Sequence, residues 1–298
     1  MAFFKRQPSP WLREMAAIFG AVLVMCMPAT TARANTDNDV ALTTATASTP
    51  LTVGQLPTPG FCPSDLDVAI DAIVNRPQFA TANWGISVKP LSDETVLYNH
   101  DSEAFLVPAS NIKLLTTAAA VQIITERSPR ALPAFREQLE VINRHSNNAR
   151  ADALLRTIGG QHAVRAALSS LGVNPDSYRQ ADGSGLSRSN LAKPSTFVTL
   201  LKAMHEADAS RIFYNSLPIS GVNGTLEHRF KGTSVQGKVH AKTGTLNGVR
   251  ALSGYLETAD YGTVIFSIVV NQPGQSGRVL LQAIDEMVLH IGRVEPCR

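Results

Sequence analysis

Residues 238–257 read KVHAKTGTLNGVRALSGYLE. Lys242 stands between Ala241 and Thr243-Gly244-Thr245, immediately ahead of the strand-like run 248–257. Alone, these residues describe a solvated lysine in a turn at the end of a strand. Their neighbours decide the fold. A second strand-like run, TVIFSIVVN (263–271), follows, and then a helical pattern over 277–291. At the other end, DLDVAIDAIVN (65–75) has helical spacing after a candidate N-cap at Ser64, and WGISVKP (84–90) and TVLYNH (95–100) read as two strands. Trp84 is expected in the core. Between these ends the periodicity is helical: 110–126, rich in Ala and Leu, then 134–144, 147–158, 161–171 and 195–207. Strands at both ends with helices between them predict an α+β fold. One antiparallel sheet is built from both termini and flanked by helices, and a helical subdomain is inserted at about 110–236.

The first 34 of the 298 residues belong to a different class. Lys5, Arg6 and Arg13 precede an apolar run from Met15 to Met27, and Ala32 and Ala34 form an Ala-x-Ala pattern. The run is too short to span a bilayer comfortably, so 1–34 is expected to be a secretory signal peptide, with an uncleaved anchor as the alternative. Cys26 does not mark a lipoprotein, because Met25 occupies a position that needs a small residue. Removing this segment takes away four basic groups and one acid, which brings the formal charge from +3 to about zero. The remaining arginines are scattered, so no nucleic-acid partner is expected. Residues 35–59 are rich in Thr, Ala and Pro and read, with the two that follow, as a disordered linker to residue 61. No second apolar run is long enough to span a membrane after processing. Cys62 and Cys297 remain, one near each end of the ordered chain. An exported chain with an even cysteine count predicts a disulfide between them; two free thiols are the alternative.

Three short patterns carry the chemistry: SNIK (110–113), SNN (146–148) and KTG (242–244). With 23 Ser and 8 Lys, chance gives roughly 0.6 Ser-x-x-Lys matches, about one Ser-x-Asn and ~0.04 Lys-Thr-Gly. Each occurs once, and the ordered set is far stronger than any member. Ser110 and Lys113 lie one helical turn apart and share a face. A serine hydroxyl needs a base within hydrogen-bond reach, yet a free lysine is neutral only about once in 2,500 molecules at pH 7. Burial and a second cation both lower a lysine pKa, and Lys242 is the candidate second cation. Ser146 is placed to relay a proton to a leaving amine, and Asn148 to bind an amide carbonyl. Both are also ordinary N-capping residues. Lys242 and Thr243 are expected to hold a carboxylate, and Gly244 to leave room for a substrate backbone. The Thr245 N–H is expected to form an oxyanion hole with that of Ser110. No Gly-x-Ser-x-Gly elbow exists, and His145, His228 and His240 lack metal-ligand spacing, so neither an α/β-hydrolase triad nor a metal or other cofactor is expected.

The three motifs resemble the set shared by serine penicillin-recognising enzymes. INRHSNNARADALLRTIGG (142–160), DGSGLSRSNL (182–191), LPISGVNGTLEHRF (217–230) and 238–257 further resemble D-alanyl-D-alanine carboxypeptidase/endopeptidases of the penicillin-binding protein 4 type. The resemblance implies a β-lactamase/transpeptidase-like fold over 62–298. It also implies peptidoglycan stem peptides ending in D-Ala-D-Ala as substrate, β-lactams as covalent inhibitors, and a place in the bacterial periplasm or cell envelope. It assigns acylation to Ser110, the base to Lys113, assistance to Ser146 and Asn148, and substrate holding to Lys242, Thr243 and Thr245. Asp182 to Ser187 border the cleft without an assigned step. A β-lactamase on the same scaffold and a non-catalytic relative that binds cell-wall peptides are the alternatives. One departure is evident: members of that type carry large insertions between the first two motifs, whereas here Ser110 and Ser146 are 36 positions apart. A helix over 110–126 rises about 24 Å, and the next 20 residues can return that distance, so the core still closes. The departure bears on endopeptidase action rather than on the core.

Overall fold

The computed structural model describes residues 62–297 apart from Asp208; the expected signal peptide and linker lie outside them. Helix α1 (Pro63–Val74) begins two residues earlier than the candidate cap at Ser64 suggests, because Pro63 supplies a helical φ at the first position and extended Cys62 caps it. Strands β1 (Asn83–Pro90) and β2 (Tyr98–His100) follow. The second is shorter than expected because the Thr95 N–H is taken by Asp93 Oδ1 at 2.8 Å, which makes a turn of its first residues. The helices are α2 (Ile112–Arg127), α3 (Leu132–Asn143), α4 (Asn148–Thr157), α5 (Gly160–Ser170), α6 (Pro194–Glu206) and α7 (Ser210–Ser216). A two-residue ribbon, β3 (Tyr178–Arg179) with β4 (Leu191–Ala192), lies among them. Strands β5 (Val239–Leu246), β6 (Val249–Glu257) and β7 (Thr263–Asn271) and helix α8 (Gly277–Ile291) complete the chain.

The five main strands form one antiparallel sheet in the order β2-β1-β7-β6-β5. β1 is zipped to β7 from Asn83↔Asn271 to Pro90↔Val264, so strands from both ends of the described chain share the sheet, as expected. Alternation assigns the faces. Trp84, Ile86, Val88, Leu252, Phe266, Ile268 and Val270 pack against α1 and the Leu280, Ile284, Met287, Ile291 stripe of α8. Tyr255 and Ile265 on the other face meet the helical core of Leu115, Ala119, Phe197, Leu201 and Phe213. Each such large apolar side chain contributes roughly 1.5–3 kcal/mol by leaving water. At the open end, Arg76 pairs with Glu286 of α8 through two bonds of 2.7 and 2.6 Å.

One row of the helical face is polar. Ser87, Ser267, Ser253 and Lys242 lie side by side across β1, β7, β6 and β5, all buried. Ser253 and Ser267 share a hydrogen bond of 2.8 Å, and the buried Asn111 donates from Nδ2 to Ser253 Oγ at 2.7 Å. Small side chains let the turn before α2 seat directly on the sheet, and a hydrogen bond fixes it there.

Candidate active site

The chain enters α2 through a 3₁₀ turn, Ala109–Asn111, with Ala109 at a φ of +47°. A left-handed alanine is uncommon, and packing on both sides holds it. Half-buried Ser110 stands at this turn and fully buried Lys113 one step into the helix. Lys113 Nζ lies 2.9 Å from Ser110 Oγ and 2.8 Å from Asn148 Oδ1, and it also donates to the Ser184 carbonyl. Burial pushes its pKa down to about 8, against the opposing pull of Asp152 and Asp182. The partner set suits a neutral amine. Two carbonyl acceptors can take its two N–H groups, which leaves the lone pair directed at the Ser110 hydroxyl.

The second motif makes a second serine–lysine pair. Asn147 caps α4, its Oδ1 accepting the Arg150 N–H at 2.9 Å, which places Asn148 first in the helix and Ser146 just before it at a φ of +56°. Lys242 Nζ donates to Ser146 Oγ and to the Thr243 carbonyl, each at 2.9 Å. Lys242 is fully buried; desolvation and then the charge of Lys113 push its pKa well below the usual lysine value. Lys242 was expected to hold a substrate carboxylate with Thr243; in the structure its buried amine is bonded to Ser146 and to the Thr243 backbone.

The stretch 182–187, given no step in the sequence, packs against Ser110 and Lys113. Asp182 accepts from the Gly185 N–H (2.6 Å), the Ser187 N–H (2.7 Å) and Asn190 Nδ2 (2.9 Å), and Asp152 accepts from the Gly183 N–H (2.9 Å). Burial raises the Asp182 pKa, but these bonds outweigh it and hold the carboxyl below its ordinary value. The loop so tied presents the Ser184 carbonyl to both Lys113 and Ser110, the latter at 3.3 Å. A backbone carbonyl carries no residue identity, so the sequence held no sign of this contact.

β5 is the sheet edge, and its odd residues turn their backbone groups outward: the Ala241 N–H donates to the Pro218 carbonyl at 3.1 Å. By the alternation of the antiparallel ladder, the Thr243 and Thr245 N–H groups also face outward, into the cleft. Gly244 has a reason other than the one its sequence suggested. A Cβ there would lie 2.6 Å from the Pro108 carbonyl oxygen, so the glycine lets the turn that carries Ser110 approach β5. The cleft has a volume of ≈ 300 Å³, and Ser110, Ser146, Asn148, Thr243, Gly244 and Thr245 all line it. Its far wall adds Arg229 and Arg250, which sequence reasoning passed over because isolated arginines carry no pattern. His240 stacks on Tyr214 at 4.3 Å, and burial, then Arg144, push it down to about 4. Cys62 and Cys297 are thiols in the structure; the hydrogen bond with Cys297, before that with Ser64, lowers the Cys62 pKa. The expected pair thus lies close enough for each thiol to act on the other, without a bond between them.

The class these features define is that of the penicillin-binding proteins and serine β-lactamases, an α+β fold with an antiparallel sheet flanked by helices. The similarity in fold to the TLA-1 extended-spectrum β-lactamase has a TM-score of 0.65 at 18% identity, over 78% of this chain and 98% of that one. Residues 66–128 and 133–293 match the D-Ala-D-Ala carboxypeptidase 3 (S13) family, and the chain belongs to that family. The chain is 40% identical over 162 residues to the D-alanyl-D-alanine carboxypeptidase of Actinomadura sp. (strain R39), covering 49% of this chain and 30% of that protein. It is also similar to penicillin-binding protein 4 (dacB) of Haemophilus influenzae, with 27% identity and a TM-score of 0.50 over 53% of this chain and 39% of that one. The chain spans 30%, 34% and 55% of the length of the first three curated relatives it matches. The family match breaks at 129–132, in the turn between α2 and α3, which lies within the interval between Ser110 and Ser146. Among the described residues no helix is long and apolar enough to cross a membrane.

Proposed function

We propose that the protein is a serine D-Ala-D-Ala carboxypeptidase that acts on peptidoglycan stem peptides through an acyl-enzyme on Ser110. The observation that carries this reading is the hydrogen-bonded set Ser110–Lys113–Asn148 beside Ser146–Lys242. Neutral Lys113 takes the Ser110 hydroxyl proton as Oγ attacks the carbonyl carbon of the penultimate D-Ala. The N–H groups of Ser110 and Thr245 receive the oxyanion. Ser146 gives its proton to the departing nitrogen, and the C–N bond breaks, releasing D-Ala. Lys113 passes the proton it gained back to the Ser146 oxygen, which restores both groups. Water then hydrolyses the ester: its hydroxyl goes to the acyl carbon and its proton returns to Ser110 Oγ.

β-Lactams enter the same path and stay bound, because opening the ring keeps the leaving nitrogen attached. The two carboxylates whose charges act on Lys113 support a long-lived adduct: Asp152 and Asp182 both accept backbone N–H groups and so are engaged in holding the loop rather than a water. Labelled penicillin followed over time tests the assignment. A stable covalent adduct that vanishes in Ser110→Ala is expected; rapid loss of the label would instead make the protein a β-lactamase, and no label at all would end the reading. The same acyl-enzyme can form from a cross-linked peptide, which is the endopeptidase reaction. The family and the targeting pattern at 1–34 support a place in the bacterial envelope. In that oxidising setting the Cys62 and Cys297 thiols are expected to join as a disulfide that ties the two ends together. In protein isolated from the envelope both cysteines should resist a thiol reagent until reduced, and immediate reaction would exclude the bond.

A further inference from the structure

We infer that a second hollow, lined by the segment that leads to Ser110, binds a sugar unit of the glycan strand to which the stem peptide is joined. The inference rests on the acyl-transfer reading above. The hollow has a volume of ≈ 490 Å³, against ≈ 300 Å³ for the cleft, and the two share no lining residue. Asn83, His100, Asp101, Phe105, Val107 and Asn271 are in its wall. Leu106 and Ala192 exchange backbone hydrogen bonds of 3.2 and 3.0 Å, so 105–107 adds a third strand to the β3–β4 ribbon. Alternation then puts Phe105 and Val107 on one face of that ribbon with Leu191, Lys193 and Arg179. Gly85 lets the segment settle on β1, since a Cβ there would lie 2.7 Å from Leu106 Cδ1.

The lining selects the ligand by its chemistry. Phe105 is 40% exposed, and Lys193 Nζ and the Arg179 guanidinium hold its ring from 5.3 and 5.7 Å. The side chains of Asn83, His100 and Asp101 make no hydrogen bond to any described residue. An amide, an imidazole and a carboxylate together offer donors and acceptors to hydroxyl groups, and the C–H face of a sugar ring packs on an aromatic ring. Other ligands fit less well. An anion would meet Asp101 and also Glu103, which is bonded to Lys193 at 3.0 Å. A purely apolar group would strip water from three polar side chains and replace none of it. A peptide finds no open backbone ladder: Leu106 is paired with Ala192, and both backbone groups of Val107 are bonded to the Asn271 side chain at 2.8 and 3.0 Å. The hollow also lies where the substrate leads. With the peptide terminus at Thr243 and the oxyanion at Thr245, the rest of the peptide runs along β5 toward Leu246. Leu246, Val249, Asn271 and Asn83 stand in register across the sheet, which puts the hollow at that end of it. Val107 is three residues from Ser110, ~11 Å at most, whereas a stem of five residues extends ~16 Å. A sugar at the far end of the stem can therefore reach the hollow while its terminal residues lie at Ser110.

Equilibrium binding of the N-acetylglucosamine tetramer to the full chain, followed by NMR titration, tests the site without turnover. Saturable binding is expected. Phe105→Ala should weaken it ~3- to 10-fold, the order of covering the exposed part of a phenyl ring, and Phe105→Trp should retain it. Asn83→Ala, at an exposed position, should also weaken it and serves if Phe105→Ala fails to fold. No saturable binding, or equal binding to the intact protein and both alanine variants, would overturn the site. Release of D-Ala tests the link to catalysis, as kcat/KM for a disaccharide-pentapeptide divided by that for the free pentapeptide. The ratio should exceed one in the intact protein and fall toward one in both alanine variants. Because it is taken within one protein, a change at Ser110 itself cancels. A ratio of one in the intact protein, or a ratio that the variants leave unchanged, would overturn the glycan assignment. No D-Ala release from either substrate, with tetramer binding intact, would overturn the acyl-transfer reading and leave the sugar site standing.

Discussion

Replacing Lys113 by methionine is expected to slow penicillin acylation of Ser110 by about 10³-fold or more, within the range that positioned general bases supply. The side chain is fully buried, and methionine has a comparable length with no charge to desolvate. The fold should therefore survive, and the loss should be chemical. The pH dependence gives the sharper test. The amine is the active form, so the wild-type rate should rise with pH through the Lys113 pKa of about 8 and fall about tenfold per unit below it. Linkage has the same sign. A lysine whose folded pKa lies below its unfolded value favours the folded state fully only above the unfolded pKa, and that contribution is lost as pH falls through about 8. Lys113→Met should flatten both dependences over pH 6 to 10, measured as acylation rate and as thermal midpoint. A variant that keeps the rising rate limb would move the base to another group, with Lys242 the first candidate.

How much of this site could be read from the sequence depended on whether a function rests on a side chain with a pattern or on the backbone and its surroundings. That Ser110, Lys113, Ser146, Asn148 and the Thr243–Thr245 edge come together was legible because each belongs to a motif with a fixed spacing. The sheet was legible because 84–90 and 263–271 are β-rich runs that match partners at opposite ends of the chain. β5 was harder to read: Lys242, Gly244 and the threonines interrupt apolar alternation, and only pairing to β6 along Val239↔Leu256 to Leu246↔Val249 makes them a strand. The burial of Lys242 was hidden for the same reason, since a lysine on an edge strand ordinarily faces water. α7 and the β3–β4 ribbon are too short for a periodic signal. The Ser184 carbonyl contact and the place of Arg250 in the cleft wall appear only when distant segments meet in space. Gly244 and Gly277 show the limit clearly. Sequence identifies each as a glycine, but the atom that requires it, the Pro108 carbonyl oxygen or Arg250 Nη2, belongs to another segment.

Gly185→Ala should then be the most damaging single methyl in the protein for catalysis, although Gly185 makes no chemical step. Its φ is +85°, a conformation that costs a residue with a side chain ~1–3 kcal/mol. The added Cβ would also lie 2.0 Å from the Ala109 carbonyl oxygen and 2.9 Å from Ser110 Cα. These are backbone atoms, and they cannot retreat. Behind them the Pro108 carbonyl already abuts Gly244, and Asn111 is bonded to Ser253 in the polar row of the sheet. The turn that carries Ser110 is thus clamped between the 182–187 loop and β5, and relief must come from moving Ser110 or withdrawing the Ser184 carbonyl from Lys113. A displacement of about 1 Å costs on the order of 10²-fold in rate, so acylation should fall by at least that much. Gly172→Ala is the matched control: its φ is +78°, but nothing lies within 4 Å of the added methyl. Both variants should lose thermal stability through the same backbone strain, whereas only Gly185→Ala should lose acylation. If the two variants acylate equally well, the loop does not set the nucleophile. The position of Ser110 would then depend on the sheet alone, through Asn111 and Gly244.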